Sequence, residues 1–407
     1  MNFVFISPNF PVRYFKWVEA LKNHGVNVLG IGDTPYYNCH ERLKKALKEY
    51  YFVPDMNDFE AMKAAISYYL SKYGKIDFIE SDNEWWLTLD ARLRQEFGIN
   101  TGFLPYQMEA IKAKSAMKEY FVKGGAKVSR YILVDGPADL EKAKEFIKTV
   151  GYPVFVKPNV GVGASDSFKI KDEEALNTFL SKQLIETYIM EEFIEGFIVS
   201  YDGVCDIDSN VVFATSDHFP TPIDQIVHDA MDIIYYNNPF SLPFHDIDGE
   251  AFEKLGRSVV KAFGISKRFF HIEFFVLTKD KEGLGKKGQF IGLECNMRPP
   301  GGYTPDLIDY ANSISCYELY ADVICYNESR QDLNKEKFYA FAVSRRNGVD
   351  YVHSEKEIDE KYGSVICMKG RYPAHIAVAM GDNYFYARFK DFKEGEEFAS
   401  FLSARKA

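Results

Sequence analysis

Two hydrophobic periodicities alternate along the first hundred residues, and this constrains the fold more than any other feature of the chain. Residues 2–7, 27–32, 50–54 and 77–81 are short apolar runs that read as buried strands. Between them, residues 11–24, 40–49, 57–73 and 84–97 carry apolar side chains at helical spacing. Such alternation predicts a parallel sheet with helices on both faces. Ligands of these sheets gather beyond the carboxyl ends of the strands. Residues 7–9, 32–34 and 81–84 are therefore the predicted rim of a pocket.

A second unit is expected from about residue 106. A helix over 112–123 stops at Gly124-Gly125 and is followed by a strand at 130–134 and a helix at 138–150. Strands at 153–158 and 167–171 come next, joined by a glycine-bearing loop, and 187–219 is strand-rich with Asp208-Ser209-Asn210 as a hairpin turn. A helix at 250–263 precedes strands at 269–278 and 289–296. From about 332 the tail mixes strands, 337–344 and 384–389 among them, with a final helix. A chain of 407 residues exceeds what one core usually serves. The pattern divides it near 106 and again near 332, into a multidomain mixture of α/β and α+β units.

Composition narrows the function. Hydrophobic residues at 46% and charged ones at 27% are the balance of a soluble enzyme. A net charge of −10 argues against a broad surface for nucleic acid or anionic membrane. No apolar run is long enough to span a bilayer, and the start of the chain reads as a strand rather than a signal peptide. The six cysteines contain no Cys-x-x-Cys pair, so neither a zinc site nor a disulfide framework is expected, and a reducing cytoplasm is the default location.

Three segments carry chemistry. In Pro153-Val-Phe-Val-Lys157-Pro158-Asn-Val-Gly161-Val-Gly163-Ala164-Ser165, a buried strand delivers one lysine and then breaks into small residues. Backbone N–H groups there can approach phosphate oxygens while Lys157 supplies a point charge. A strand ending in a glycine turn, with Lys157 reaching for water, accounts for the same residues. The second segment pairs His271-Ile-Glu273-Phe-Phe with Ile291-Gly-Leu-Glu294-Cys-Asn296-Met-Arg298. Period-two alternation puts Glu294, Asn296 and Arg298 on one face, and Glu273 sits beside Glu294 if the strands pair. Two carboxylates and an amide oxygen suit Mg²⁺, and Arg298 suits a transferring phosphoryl group. The alternative is a solvated face with a cross-strand ion pair. The third segment, Tyr188-Ile-Met-Glu191-Glu192-Phe-Ile194, reads as a core strand with exposed glutamates or as a connection that meets an adenine edge.

In this order and spacing, residues from about 98 to 298 resemble the ATP-grasp superfamily of carboxylate–amine ligases, closest to its amino-acid-ligase and carbamoyl-phosphate-synthase-like branch. The resemblance implies an N-terminal Rossmann-like domain over 1–105, a small ATP-grasp lobe over 106–190, a large lobe with the metal site over 191–330, and a small mixed subdomain over 331–407. Ile111-Lys-Ala-Lys114-Ser-Ala-Met117-Lys118 is similar to the family's Asp-Lys…Met-Lys helix, with Ala113 in place of the common aspartate. It implies Lys114 and Lys157 on the phosphates of ATP, the loop Gly161, Gly163, Ala164 and Ser165 above them, and Glu191 and Ile194 at adenine. It further implies Glu273, Glu294 and Asn296 on Mg²⁺, with Arg298 and Lys157 catalytic. Activity, on this reading, is ADP-forming C–N ligation through an acyl phosphate, with a small carboxylate and an amine as partners; dimers are common among such proteins. Phosphorylation of bicarbonate or carbamate, and a non-catalytic ATP-binding module, are the competing readings.

Other segments are ambiguous in sequence. Glu84 is either a substrate contact or part of a helix start capped by Asp82. Gly301 and Gly302, in the Pro299-Pro300-Gly301-Gly302 turn after Arg298, either present N–H groups to a substrate carboxylate or merely reverse the chain. Gly283-Leu-Gly285-Lys-Lys-Gly288 opens no helix and reads as a hairpin loop rather than a dinucleotide fingerprint. His218, His228 and His245 match no metal-ligand spacing and are expected in a surface loop.

Overall fold

The computed structural model describes residues 1–161, 166–182, 184–221 and 231–406. Its strands are β1 (Asn2–Ile6), β2 (Asn27–Gly32), β3 (Glu49–Phe52), β4 (Phe78–Glu80), β5 (Lys127–Val128), β6 (Tyr131–Val134), β7 (Val154–Pro158), β8 (Phe168–Ile170) and β9 (Tyr188–Glu192). They continue with β10 (Gly196–Cys205), β11 (Val211–Phe219), β12 (Ile234–Asn238), β13 (Arg268–Leu277), β14 (Phe290–Asn296), β15 (Tyr339–Arg345), β16 (Ile366–Arg371) and β17 (Asn383–Phe389).

The first four strands form a parallel sheet in the order β3-β2-β1-β4, as the alternation predicts. The connecting helix Phe59–Tyr73 has a polar start, where Asp58 accepts from the N–H groups of Glu60 and Ala61. A small antiparallel sheet, β6-β9-β7-β8, forms a second layer. The remaining strands build one nine-stranded sheet, β16-β17-β15-β12-β11-β10-β13-β14-β5.

Two features of this topology differ from the sequence division. The tail strands β15, β16 and β17 continue the sheet that carries Glu273 and Glu294, joined through β12 and β15. The small sheet also retains Glu191 and Glu192, because β9 pairs with both β6 and β7. Strand pairing depends on long-range register, which local periodicity does not encode.

The N-terminal sheet is not a separate body. One hydrophobic cluster runs from Phe3 and Trp17 to Phe269 of β13 and Tyr320 of the helix Cys316–Tyr326. Trp17 meets Phe269 edge-on at 5.6 Å and Tyr317 at 4.6 Å. This shared core fixes the carboxyl ends of β1, β2 and β4 against the large sheet. Among the described residues no helix is long and apolar enough to cross a membrane, and all six cysteines are free.

Candidate active site

Antiparallel pairing of β13 and β14 sets Glu273 directly opposite Glu294 and His271 opposite Asn296. The register depends on an irregularity. Phe274 pairs with Gly292 while Glu273 pairs with Glu294, so Leu293 is an extra residue on β14. Without that bulge Glu273 would face Leu293, and Glu294 would turn to the other side of the sheet.

Both carboxylates are largely buried, and burial works against their ionisation. For Glu273 it is outweighed by His271, Arg298 and Lys157, which hold the carboxyl below its usual range. For Glu294 burial prevails: Lys114 and Lys157 oppose it, but repulsion from Glu273 and Glu84 adds to it, and the carboxyl is raised. Two adjoining acids pushed apart in this way are a site that a divalent cation would relieve. The donors, two carboxylates and the Asn296 amide oxygen, are all oxygen and suit Mg²⁺. Among the described residues no group of three His, Cys, Asp or Glu side chains is arranged to hold a metal unaided. Water and phosphate oxygens would have to complete the shell.

Cations face this pair. Lys114 Nζ lies 3.7 Å from Glu294 Oε1 and donates to the carbonyl of Gly161 at 3.1 Å. Lys157 is buried, yet Glu191, Glu294 and Glu273 outweigh the burial and raise its pKa. The two lysines belong to different elements that are stitched together. Lys114 N donates to the Asn159 carbonyl at 2.8 Å, and Ser115 N to Asn159 Oδ1 at 2.9 Å. A bridge between Ala113 and Val160 extends the seam. The end of β7 thereby caps the helix Lys114–Lys123.

Glu191 and Glu192 are not exposed, contrary to the plain strand reading of that segment. Glu191 Oε2 pairs with Lys157 at 2.8 Å, and its Oε1 pairs with Lys118 at 2.6 Å and accepts from Ser129 Oγ at 2.7 Å. Burial opposes its charge, but the two lysines drive its pKa far down. Both oxygens are thus held by cations, and Oε2 keeps acceptor capacity beyond its contact with Lys157. Glu192 is held by Arg130 at 2.7 Å. Ile194 is buried beside Leu277 and Ile291. Gly163, Ala164 and Ser165 lie outside the described residues.

A cavity of about 450 Å³ opens between the N-terminal sheet and the turn after Arg298. Ser7, Asp33, Asn83 and Glu84 line one side, from the carboxyl ends named in advance by the alternation, and Arg298, Gly301 and Gly302 line the other. Glu84 accepts from Lys112 Nζ at 2.7 Å and lies 3.7 Å from Arg298 Nε. Arg298 donates to the Pro299 carbonyl at 2.8 Å and to Asn296 Oδ1 at 3.5 Å. Cavity and carboxylate pair are therefore adjacent, with Arg298 between them.

No protein-family model matches the chain. It is 25% identical over 367 residues to the L-arginine-specific L-amino acid ligase of Bacillus subtilis, covering 88% of this chain and 83% of that one. Over 201 residues it is 33% identical to the carbamoyl phosphate synthase large chain of Thermotoga maritima, covering 47% of this chain but 17% of that relative. The structure of an L-amino acid ligase from Bacillus licheniformis superposes with a TM-score of 0.72 at 16% identity, covering 98% of this chain and 96% of that one. The chain has the fold of the ATP-grasp ligases. It is an ATP-dependent ligase.

Within this ATP-grasp chain several local expectations need correction. Asp82 caps no helix: the helix Leu87–Glu96 starts later, without a side-chain cap. Asp82 is instead buried near Arg268 and Tyr320, and burial beside Glu80 pushes its carboxyl up to about 7. The turn before the helix is made by Asn83, whose Oδ1 accepts from Trp85 N at 3.0 Å. His218 is not on a surface loop. It is buried on β11, 2.9 Å from Asp246, and stacked on Tyr236. His245 does lie exposed in the connection after β12, stacked on Phe392, and His228 lies outside the described residues. The 283–288 loop does connect two antiparallel strands, β13 and β14.

Sequence reasoning left other groups unassigned. Asp202, on β10, holds His271 Nδ1 at 2.6 Å and so orients the ring that reaches within 3.5 Å of Glu273. Burial opposes charge on His271, but Asp202 and Glu273 prevail and raise its pKa to about 10. The signal was present as a carboxylate alternating with Ser200 in an otherwise apolar strand.

Proposed function

We propose that this ATP-grasp ligase phosphorylates a small carboxylate and transfers the acyl group to an amine, releasing ADP and phosphate. The observation that carries the reading is the meeting of Glu273 and Glu294 across β13 and β14, with Lys114 and Lys157 turned toward them. A carboxylate oxygen attacks the γ-phosphorus of ATP while the bond to the β–γ bridging oxygen breaks, its electron pair leaving with ADP. The amine nitrogen then adds to the acyl carbon, the bond to phosphate breaks, and the nitrogen gives its proton to solvent.

Each residue has a physical task. Lys114 and Lys157 offset phosphate charge, and Glu191 holds Lys157 in place. Mg²⁺ at Glu273, Glu294 and Asn296, when bound, supplies the charge neutralisation that in-line transfer needs. Arg298, anchored by the Pro299 carbonyl, stabilises charge that develops on the acyl oxygen in both steps. Glu84 and the Gly301-Gly302 turn orient the acid in the adjoining cavity. Ile194 contributes backbone groups to adenine.

The test is an ADP-release screen with Mg²⁺ and ATP that pairs amino acids and small carboxylates with amine acceptors. ADP formation that requires an acid, with product mass equal to acid plus amine minus water, supports the proposal. ADP formation driven by bicarbonate alone would replace it with bicarbonate phosphorylation. ATP binding without turnover on any pair would reduce the chain to a binding module.

A further inference from the structure

Within the proposed ligase reading, on which this step rests, we infer that the acid activated is an α-amino acid with an anionic side chain. Glu84 and Arg13 both line the cavity between the N-terminal sheet and Arg298, and one buried polar atom of each, Glu84 Oε2 and Arg13 Nε, has no hydrogen-bond partner among the described residues. One is an acceptor on an anion and the other a donor on a cation. A buried polar atom without a hydrogen bond is costly, so a ligand whose binding satisfies both gains from each.

Their surroundings assign the two ends. Glu84 lies beside Arg298, 3.7 Å from its Nε. An adjacent carboxylate and guanidinium match the ammonium and carboxylate of an α-amino acid, with the reacting carboxylate toward Arg298 and the metal pair. Arg13 belongs to a separate group. Its Nη2 lies 2.7 Å from Asp306 Oδ1, and Lys16 Nζ lies 2.5 Å from the same oxygen. Two cations share one carboxylate, so the group of Arg13, Lys16 and Asp306 carries one excess positive charge. Arg13 cannot swing away to find another partner, because Tyr303 stacks on its guanidinium at 4.4 Å. Burial opposes its charge, but Asp306, Tyr317 and Tyr303 keep it protonated. A fixed, over-supplied cation on the wall of the same cavity calls for an anionic side-chain terminus, as in glutamate or aspartate, rather than an amide, ammonium or hydrocarbon.

The test compares L-glutamate, L-aspartate, L-glutamine, L-asparagine and L-leucine as the acid, each with the same amine in excess, by ADP release. The inference expects kcat/KM for glutamate or aspartate at least tenfold above that of its own amide. Arg13→Gln should cut that preference to under threefold, mainly through KM for the acidic substrate, and Arg13→Lys should restore part of it. Equal use of acid and amide, or release confined to neutral side chains, would overturn the inference and leave the ligase reading standing. No release with any amino acid would overturn both. The wild-type panel decides the matter even if the Arg13 variants fold poorly.

Discussion

Replacing Glu191 with glutamine should be the most destabilising single-atom change in the small lobe. The carboxylate sits between Lys118 and Lys157 at 2.6 and 2.8 Å, with side-chain exposures of 7%, 4% and 10%. At an effective dielectric of about 20 each contact is worth roughly 6 kcal/mol before desolvation. Removing one partner of a buried pair costs about 3–5 kcal/mol, because the remaining charge stays buried and uncompensated. Here two charges would be left. Part of the strain can escape through Lys118, whose pKa burial already lowers, so that lysine can shed its proton. The loss should then fall within the same ~3–5 kcal/mol rather than double it. Hydrogen exchange on peptides covering the helix Lys114–Lys123 and strand β9 is the suitable assay, since it reads local opening. That energy corresponds to exchange faster by roughly a hundred- to a few-thousandfold. The pair Glu191→Gln with Lys118→Met should recover at least ~1 kcal/mol relative to the sum of the single changes. Exchange within tenfold of wild type in Glu191→Gln, or strictly additive effects in the pair, would refute the claim that these charges hold the lobe together.

Three further outcomes follow from other parts of the molecule. Arg298→Ala should lower kcat by roughly a hundredfold or more while leaving the nucleotide Kd within a few-fold, read by ADP release and by titration calorimetry; equal loss of both contradicts its assigned role. Gly102→Ala should destabilise by about 2–3 kcal/mol, because φ is +136° and a Cβ would lie 2.7 Å from Glu80 Oε1 and 2.8 Å from Arg94, whereas Gly25→Ala, facing open space, should cost about 1 kcal/mol in the same denaturant titration. His24 donates to Asp322 and to the Ala20 carbonyl at 2.8 Å each, and these bonds outweigh burial and raise its pKa. Its stabilisation is therefore complete below the unfolded value of about 6.5 and disappears as pH rises through the folded pKa. His24→Gln should cost more stability at pH 6 than at pH 9, and a pH-independent cost would contradict the ion pair.

Short-range patterns told most where contrast between faces was strong. The N-terminal strands lie close to their predicted places, and so does the cavity rim, since Ser7, Asp33 and Glu84 all line the cavity. Period-two alternation also set Glu294 and Asn296 on one face, but only the bulge at Leu293 brings Glu273 opposite Glu294, and a bulge leaves no residue signature here. The helices Thr304–Asn312 and Cys316–Tyr326 were missed for the opposite reason. They are buried nearly all round, so their sequences lack the polar stripe that marks a surface helix. Asp82 misled because its type and position suit a cap, whereas the groups that act on its buried carboxyl, Arg268 and Tyr320, are distant in sequence. Arg13 was invisible for the same cause: its partner Asp306 lies far along the chain.

The seam at Asn159 ties together two positive charges that originate on separate pieces of backbone. Its carbonyl and amide oxygen hold the first turn bearing Lys114, while the strand leading into it bears Lys157. The Lys114 helix packs Phe121 against Phe274 of β13, in the core of the large sheet, so a swing of the small sheet away from β14 has to open the seam, and it withdraws Lys157 while Lys114 stays behind. Loosening the stitch with Asn159→Ala should therefore speed nucleotide escape.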